Sequence, residues 1–197
     1  AELGVLGLLV PEAHGGSGLG MLDAALAMES LARAAAPAPF LGSAVLAPVA
    51  LATAGTDAQR REWLPRLAAG KAQIGVALGE LTGRRADAGL RADGGRLQGR
   101  ALFALDAGAA DAFLVALDRD HLALVPADAP GLAATRLATI DRTRRVAELA
   151  FDGVGPIEWL GGPAGVKNVA AHVVDAGRVA LAADALGAAE RALEMAV

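Results

Sequence analysis

The chain has 197 residues, 54% of them hydrophobic, and a formal net charge of −4 from 18 basic and 22 acidic side chains. That is enough apolar material to bury a core, as one compact domain or two small ones, and too little basic field to hold a phosphate backbone, which argues against nucleic acid as a partner. Cysteine is absent, ruling out disulfides and thiolate zinc sites and fitting a reducing, cytoplasmic setting; His14, His121 and His172 lie too far apart for a metal cluster to be expected.

The opening run from Ala1 to Leu8 has no initiating Met, no signal pattern and no helix cap, and it reads as the middle of an element. The chain is therefore expected to be a piece of something longer. The loop Pro11-Glu12-Ala13-His14-Gly15-Gly16-Ser17-Gly18-Leu19-Gly20 follows. Glycines opening a helix can cradle phosphate through backbone N–H groups, but this loop lacks the Lys-Ser/Thr ending of a P-loop and no βαβ unit follows, so a structural turn is the better reading. His14 has no carboxylate or nucleophile partner at a meaningful spacing, and Glu12 and Ser17 fit no Gly-x-Ser-x-Gly hydrolase pattern.

From Met21 to Ala36 the positions Met21, Ala24, Ala25, Met28 and Ala32 share one helical face, with Glu29 and Arg33 spaced as an i,i+4 ion pair. After Pro37-Ala38-Pro39, the segment Phe40 to Ala54 predicts an almost wholly apolar, buried helix, shorter than the roughly 20 residues of a membrane span. Thr56-Asp57-Ala58-Gln59 carries a capping-box pattern for another helix, which Pro65 should bend or split and Gly70 should end.

Beyond Lys71 the period changes to two. Short strands are predicted around Ile74 to Leu78, Arg96 to Leu105, Ala112 to Leu117, His121 to Val125, Gly131 to Ala138 and Val146 to Phe151, separated by turn chemistry such as Asp93-Gly94-Gly95 and Asp118-Arg119-Asp120. A small antiparallel β-domain is the consequence. Arg142, Arg144 and Arg145 read as a solvated strand entrance. From Gly165 the helical period returns, with Val179, Leu186 and Leu193 seven apart on an apparent apolar seam. Asp175 and Arg178 stand one turn apart, which by spacing alone is a solvated pair. Helices, then strands, then a helix make an α+β protein: part of an N-terminal helical bundle (1–71), a central antiparallel β-barrel or sandwich (72–157) and a long C-terminal helix (158–197).

The order of segments carries more than any one of them. Pro-Glu-x-x-Gly-Gly-x-Gly before an amphipathic helix, Gly-Thr-Asp-Ala-Gln-Arg-Arg-Glu-Trp-Leu-Pro-Arg-Leu-Ala-Ala-Gly (55 to 70), Asp-Gly-Gly-Arg-Leu-Gln-Gly (93 to 99), Ala-Gly-Ala-Ala-Asp-Ala-Phe-Leu-Val (107 to 115), Phe-Asp-Gly-Val (151 to 154) and the Asp-x-x-Arg of Asp175 and Arg178 occur in this sequence. Together, across the whole chain, they resemble the acyl-CoA dehydrogenases. The resemblance implies FAD held between a β-domain and a C-terminal four-helix domain, and α,β-desaturation of an acyl-CoA thioester in which a Glu takes the α-proton and the flavin accepts the β-hydride. It further implies electron-transfer flavoprotein or a similar acceptor, a homo- or hetero-oligomer, and a role in fatty acid metabolism.

By position, the resemblance assigns Ala77, Leu78, Gly79, Phe103 and Leu105 to the flavin. Gly79 and Leu105 replace family threonines that hydrogen-bond the ring, and Phe103 replaces a tryptophan that covers it. Glu80 matches the next family residue, but the family's Pro-x-x-Gly-Ser-Asp loop gives way to the shorter Leu81-Thr82-Gly83-Arg84-Arg85. Gly42, Val45, Leu46 and Val49 are assigned to the acyl chain, with Gly42 leaving room for a bulky group, and Asp175 and Arg178 to the CoA end of the site. No catalytic residue is assigned: the base is expected beyond Val197. A second reading follows from the thinned flavin contacts, a non-catalytic partner subunit that completes a neighbour's site.

Overall fold

The computed structural model describes residues 4–78 and 88–197. It contains helices at both ends and two four-stranded sheets between them.

The Gly-rich loop is a folded turn. Val5–Gly7 and Glu12–His14 form two 3₁₀ turns, and the chain closes on itself where the N–H groups of Ser17, Gly18 and Leu19 donate to Gly7, Val10 and Leu8. Only glycine fits at 16, since a Cβ there would lie 2.1 Å from the Val10 carbonyl oxygen. Helix α1 (Met21–Arg33) then buries Ala24 and Met28. Its N-terminus faces the Asp23 carboxylate, which accepts from Gly20 N–H at 3.1 Å, so a second anion is not favoured there. The expected Glu29–Arg33 pair is not what forms; Arg33 reaches instead across to Glu190 and Glu194 of the last helix.

The apolar helix starts as a π-helical stretch, Leu41–Leu46, and continues as α2 (Ala47–Ala54). Pro48 explains the change of pitch. It has no N–H for the Ala44 carbonyl and its ring crowds that carbonyl, and widening the preceding turn, where Ala47 N–H donates to Gly42 O, relieves both. In α3 (Asp57–Ala68) the Thr56 and Gln59 side chains exchange bonds with each other's backbone N–H at 3.2 and 2.9 Å. Of the two outcomes expected at Pro65, a bend or a split, the split does not occur; α3 runs through it to Ala68.

One sheet has the order β1 (Ile74–Ala77), β4 (Ala112–Ala116), β5 (Leu122–Pro126), β8 (Glu158–Trp159); the other has β2 (Gly89–Asp93), β3 (Arg96–Ala104), β7 (Ala147–Val154), β6 (Leu132–Arg136). Neither closes into a barrel, and the pairing is not wholly antiparallel. β1 runs parallel to β4, because the β2–β3 excursion carries the chain back to the same end before β4 begins. β2 and β8 were not expected: β2 is largely exposed and β8 has two residues, so neither presents an alternating apolar pattern.

The first sheet is covered on both faces. Phe113, Val115, Ala123 and Val125 point at Leu97, Leu149 and Phe151 of the second sheet, while Ala112, Leu114, Leu122 and Leu124 pack on the helical core. Double coverage is why β4 and β5 are continuous apolar runs rather than alternating ones.

Helix α4 (Val169–Ala196) closes the molecule, lying along α1 and α2. Its buried face is Val169, Ala170, Val173, Ala176, Gly177, Ala180 and Gly187, whereas Val179, Leu186 and Leu193 are exposed. The seam expected from hydrophobicity therefore faces outward. Small residues were selected inward by distance: a Cβ on Gly187 would sit 2.1 Å from Glu29 O, so α1 and α4 cross nearly backbone to backbone.

Candidate functional site: an apolar cavity between the sheets and the helices

A cavity of about 440 Å³ opens where the π-helical stretch, the end of β1, the end of β3 and α4 meet. Leu41, Leu46, Val76, Leu78, Phe103, Leu105, Val174, Gly177, Arg178 and Leu181 line it. Apart from Arg178 the described lining residues are apolar, so the cavity suits a hydrophobic ligand with one anionic or polar end.

Each wall has a local cause. β3 carries a bulge between Ala101 and Ala104, where three steps on β3 oppose two on β7. The bulge puts Phe103 at φ 56 and leaves the residue 52% exposed, facing the cavity instead of the sheet core. A bulky residue in the left-handed region is strained, and such strain concentrates at ligand sites. Leu105 is held against β1 by reciprocal backbone bonds with Val76 at 2.8 and 3.0 Å. On α4, positions 174, 177, 178 and 181 follow i, i+3, i+4, i+7 spacing and present one stripe to the cavity.

Asp106, next to Leu105, is only 6% exposed. Its Oδ2 accepts from Gly42 N–H at 2.7 Å, capping the helix of the opposite wall from across the chain. Burial pushes its carboxyl above the ordinary value of 3.8, against the opposing effects of the Gly42 N–H and the Arg144 charge. Ser43 stitches the same helix end to β1, its Oγ accepting from Ile74 N–H at 3.0 Å.

Of the residues assigned from sequence, Leu46, Leu78, Phe103, Leu105 and Arg178 come together around this one cavity. Ala77 directs its side chain into the core between the sheets. Val45 is buried in the helical core and Val49 packs against it. Gly42 faces Asp106 and β1, not open space: a Cβ there would be 2.8 Å from both Asp106 Oδ2 and Ile74 O. Its smallness serves that close approach rather than a bulky acyl group. Asp175 forms the expected exposed pair with Arg178, whose Nη1 donates at 2.8 Å. Gly79, Glu80 and the segment 81–85 lie outside the described residues. Leu41, Val76, Val174, Gly177, Leu181 and Asp106 were not singled out from sequence. The stripe on α4 was recoverable from helical spacing around Arg178, and Asp106 from its being a lone acid after an apolar strand. Among the described residues no group of three or more His, Asp or Glu side chains is placed to hold a metal ion, and no helix is long and apolar enough to cross a membrane.

The family model for the acyl-CoA dehydrogenase N-terminal domain matches residues 1–71. Acyl-CoA dehydrogenase FadE27 of Mycobacterium tuberculosis is 33% identical over 98% of this chain and 52% of its own length. The fold is similar to the ChsE4-ChsE5 complex of Mycobacterium tuberculosis (30% identity, TM-score 0.86, 98% of this chain and 54% of that one). It is also similar to a glutaryl-CoA dehydrogenase from Mycobacterium smegmatis in complex with FADH2 (26% identity, TM-score 0.74, 98% and 53%). The chain spans about half the length of the curated relatives it matches. Helices flanking a two-sheet β-region, in the order the sequence motifs require and with these likenesses over nearly every residue, place the chain in the acyl-CoA dehydrogenase family.

Proposed function

We propose that the protein this chain represents is an FAD-dependent acyl-CoA dehydrogenase, an oxidoreductase that desaturates an acyl-CoA thioester between its α and β carbons. The observation that carries this is the convergence of Leu46, Leu78, Phe103, Leu105 and Arg178, assigned separately from sequence, on one apolar cavity. The cavity fits a flat aromatic group. Phe103 offers an exposed ring on a strained backbone, and the aliphatic residues opposite supply a dry wall. Phe103, Leu105, Leu78 and Val76 are the residues that would border the flavin, which when bound supplies a two-electron acceptor for the substrate hydride.

The chain's own residues then do three things. The leucines and valines exclude water, strengthening every polar contact made by the thioester. The stripe Val174, Gly177 and Leu181 receives the acyl portion, and Gly177 leaves that wall shallow. Arg178 sits at the rim, steadied by Asp175, where it meets the polar end of the ligand. Among the described residues, none that lines the cavity is a carboxylate, so the acceptor of the α-proton is to be sought outside them.

The second reading, a flavin-poor partner subunit of a heteromeric dehydrogenase, is favoured by one feature: Leu105 and its neighbours give the cavity almost no side-chain donors for a flavin ring. The named neighbour that is a two-component complex is consistent with it. We also infer that 1–71, 72–157 and 158–197 are the domain divisions, the family model ending at residue 71 in support. A cytoplasmic setting, electron-transfer flavoprotein as acceptor and an oligomeric assembly belong to the same proposal.

The test is the visible spectrum of the full-length protein, purified alone and with candidate partner subunits. A flavin band that bleaches on adding acyl-CoA is expected. A colourless protein that only binds a coloured partner would overturn the first reading in favour of the second.

A further inference from the structure

The Arg142-to-Arg145 segment has a role that its sequence does not suggest. Asp141 accepts from both Thr143 N–H (2.8 Å) and Thr143 Oγ (2.6 Å), folding the segment into a tight turn. Its backbone docks on the 3₁₀ turn Ala107–Ala109 just beyond β3, where Ala107 N–H donates to Arg145 O at 3.0 Å. The turn thus projects Arg144 toward α4, and Arg144 Nη2 meets Asp184 Oδ1 at 2.5 Å, with the two side chains 23% and 27% exposed. Asp184 stands three residues beyond Leu181 and seven beyond Gly177, so it continues the stripe that lines the cavity. The Arg144 charge also lowers the pKa of Asp106, which holds the Gly42 N–H of the helix on the opposite wall.

We propose that Arg144 is a positioning residue: through Asp184 it fixes α4 against the end of β3 and so sets the width of the cavity, and with it the size of apolar group admitted. A surface pair contributes little, but a pair three-quarters buried that joins two elements holds its geometry against solvent competition. The extension to acyl groups rests on the dehydrogenase reading.

The experiment uses the full-length protein with Arg144→Met, Asp184→Asn and the exchanged pair Arg144→Asp/Asp184→Arg. 8-Anilinonaphthalene-1-sulfonate is titrated by fluorescence, and the component abolished by the cavity-filling Leu181→Trp reports the cavity. Each single variant is expected to weaken that component roughly three- to tenfold, within the range of coupling energies for contacting residues, and the exchanged pair to recover part of the loss. In parallel, KM for bulky acyl-CoA thioesters should rise more than KM for short ones, with kcat little changed. If Arg144→Met does not fold, Arg144→Lys against Arg144→Gln decides the same point, Lys retaining binding and Gln losing it. Wild-type probe affinity in the single variants, or an exchanged pair no better than either single, would overturn the proposal. A protein that binds the probe as described yet neither holds flavin nor turns over thioester would leave the positioning role standing and sink the dehydrogenase reading.

Discussion

At Asp106 two requirements oppose one another. The carboxylate is needed as an acceptor for Gly42 N–H, yet burial raises its pKa above 3.8, so its charged form is disfavoured in the folded protein. Between the unfolded value and the raised folded value the native state holds the extra proton, so stability falls as pH rises through that window and the charge remains a cost at neutral pH. Asp106→Asn keeps an acceptor and removes the charge; it is expected to be at least as stable as wild type at pH 7, with the advantage vanishing toward acid pH. Asp106→Ala removes the cap and should cost about 1–2 kcal/mol. Urea unfolding at several pH values reads both. Phe103 sets a comparable conflict, between backbone and ligand. Phe103→Gly relieves a left-handed strain of about 1–2 kcal/mol, partly offset by the entropy of glycine, so stability should hold or rise while ligand binding in the cavity falls. A loss of stability together with binding would show that the ring is a core residue.

Among the elements, α1 and α4 show how packing overrode pattern. Leucine and valine at 179, 186 and 193 look like a buried seam, but the contact with α1 is too close for them, and alanine and glycine occupy it. Adding one methyl group at Gly187 forces the helices apart at Glu29 O. Gly187→Ala is expected to cost roughly 1–3 kcal/mol, by the usual penalty for overpacking. The loss should be smaller for Gly162→Ala, at a positive φ of 87 but with open space around it. Equal losses at the two sites in urea titrations would mean that backbone conformation, not the helix crossing, sets the cost. The Arg33 ties to Glu190 and Glu194 lie at an exposed edge of this crossing, where they orient more than they stabilise.

Across the whole molecule, the outward face matters as much as the core. Leu22 and Leu26 on α1, and Val179, Leu186, Leu193 and Met195 on α4, leave apolar side chains in solvent. Exposed apolar side chains on neighbouring helices favour association with another apolar surface. The 197-residue polypeptide by itself is therefore expected to self-associate, and Leu186→Glu with Leu193→Glu to reduce that association without loss of helix signal. Sedimentation and circular dichroism measure the two quantities; unchanged association in the double variant would remove the apolar face as its cause.

The sequence by itself determined the succession of helices, strands and helix, the capping box at Thr56, the turn at Gly94 and Gly95, and the family. These depend on period and on residue conformational limits, which are local. Five of the cavity residues were legible through motif order for the same reason. Only tertiary structure decided which face of α4 is buried, that β1 pairs in parallel with β4, that Pro48 is accommodated by a π-helical turn, and that Arg144 pairs with Asp184. Each of these turns on a distance between segments remote in sequence, such as the 2.1 Å that a Cβ on Gly187 would leave to Glu29 O, and no periodicity within one segment encodes the approach of another.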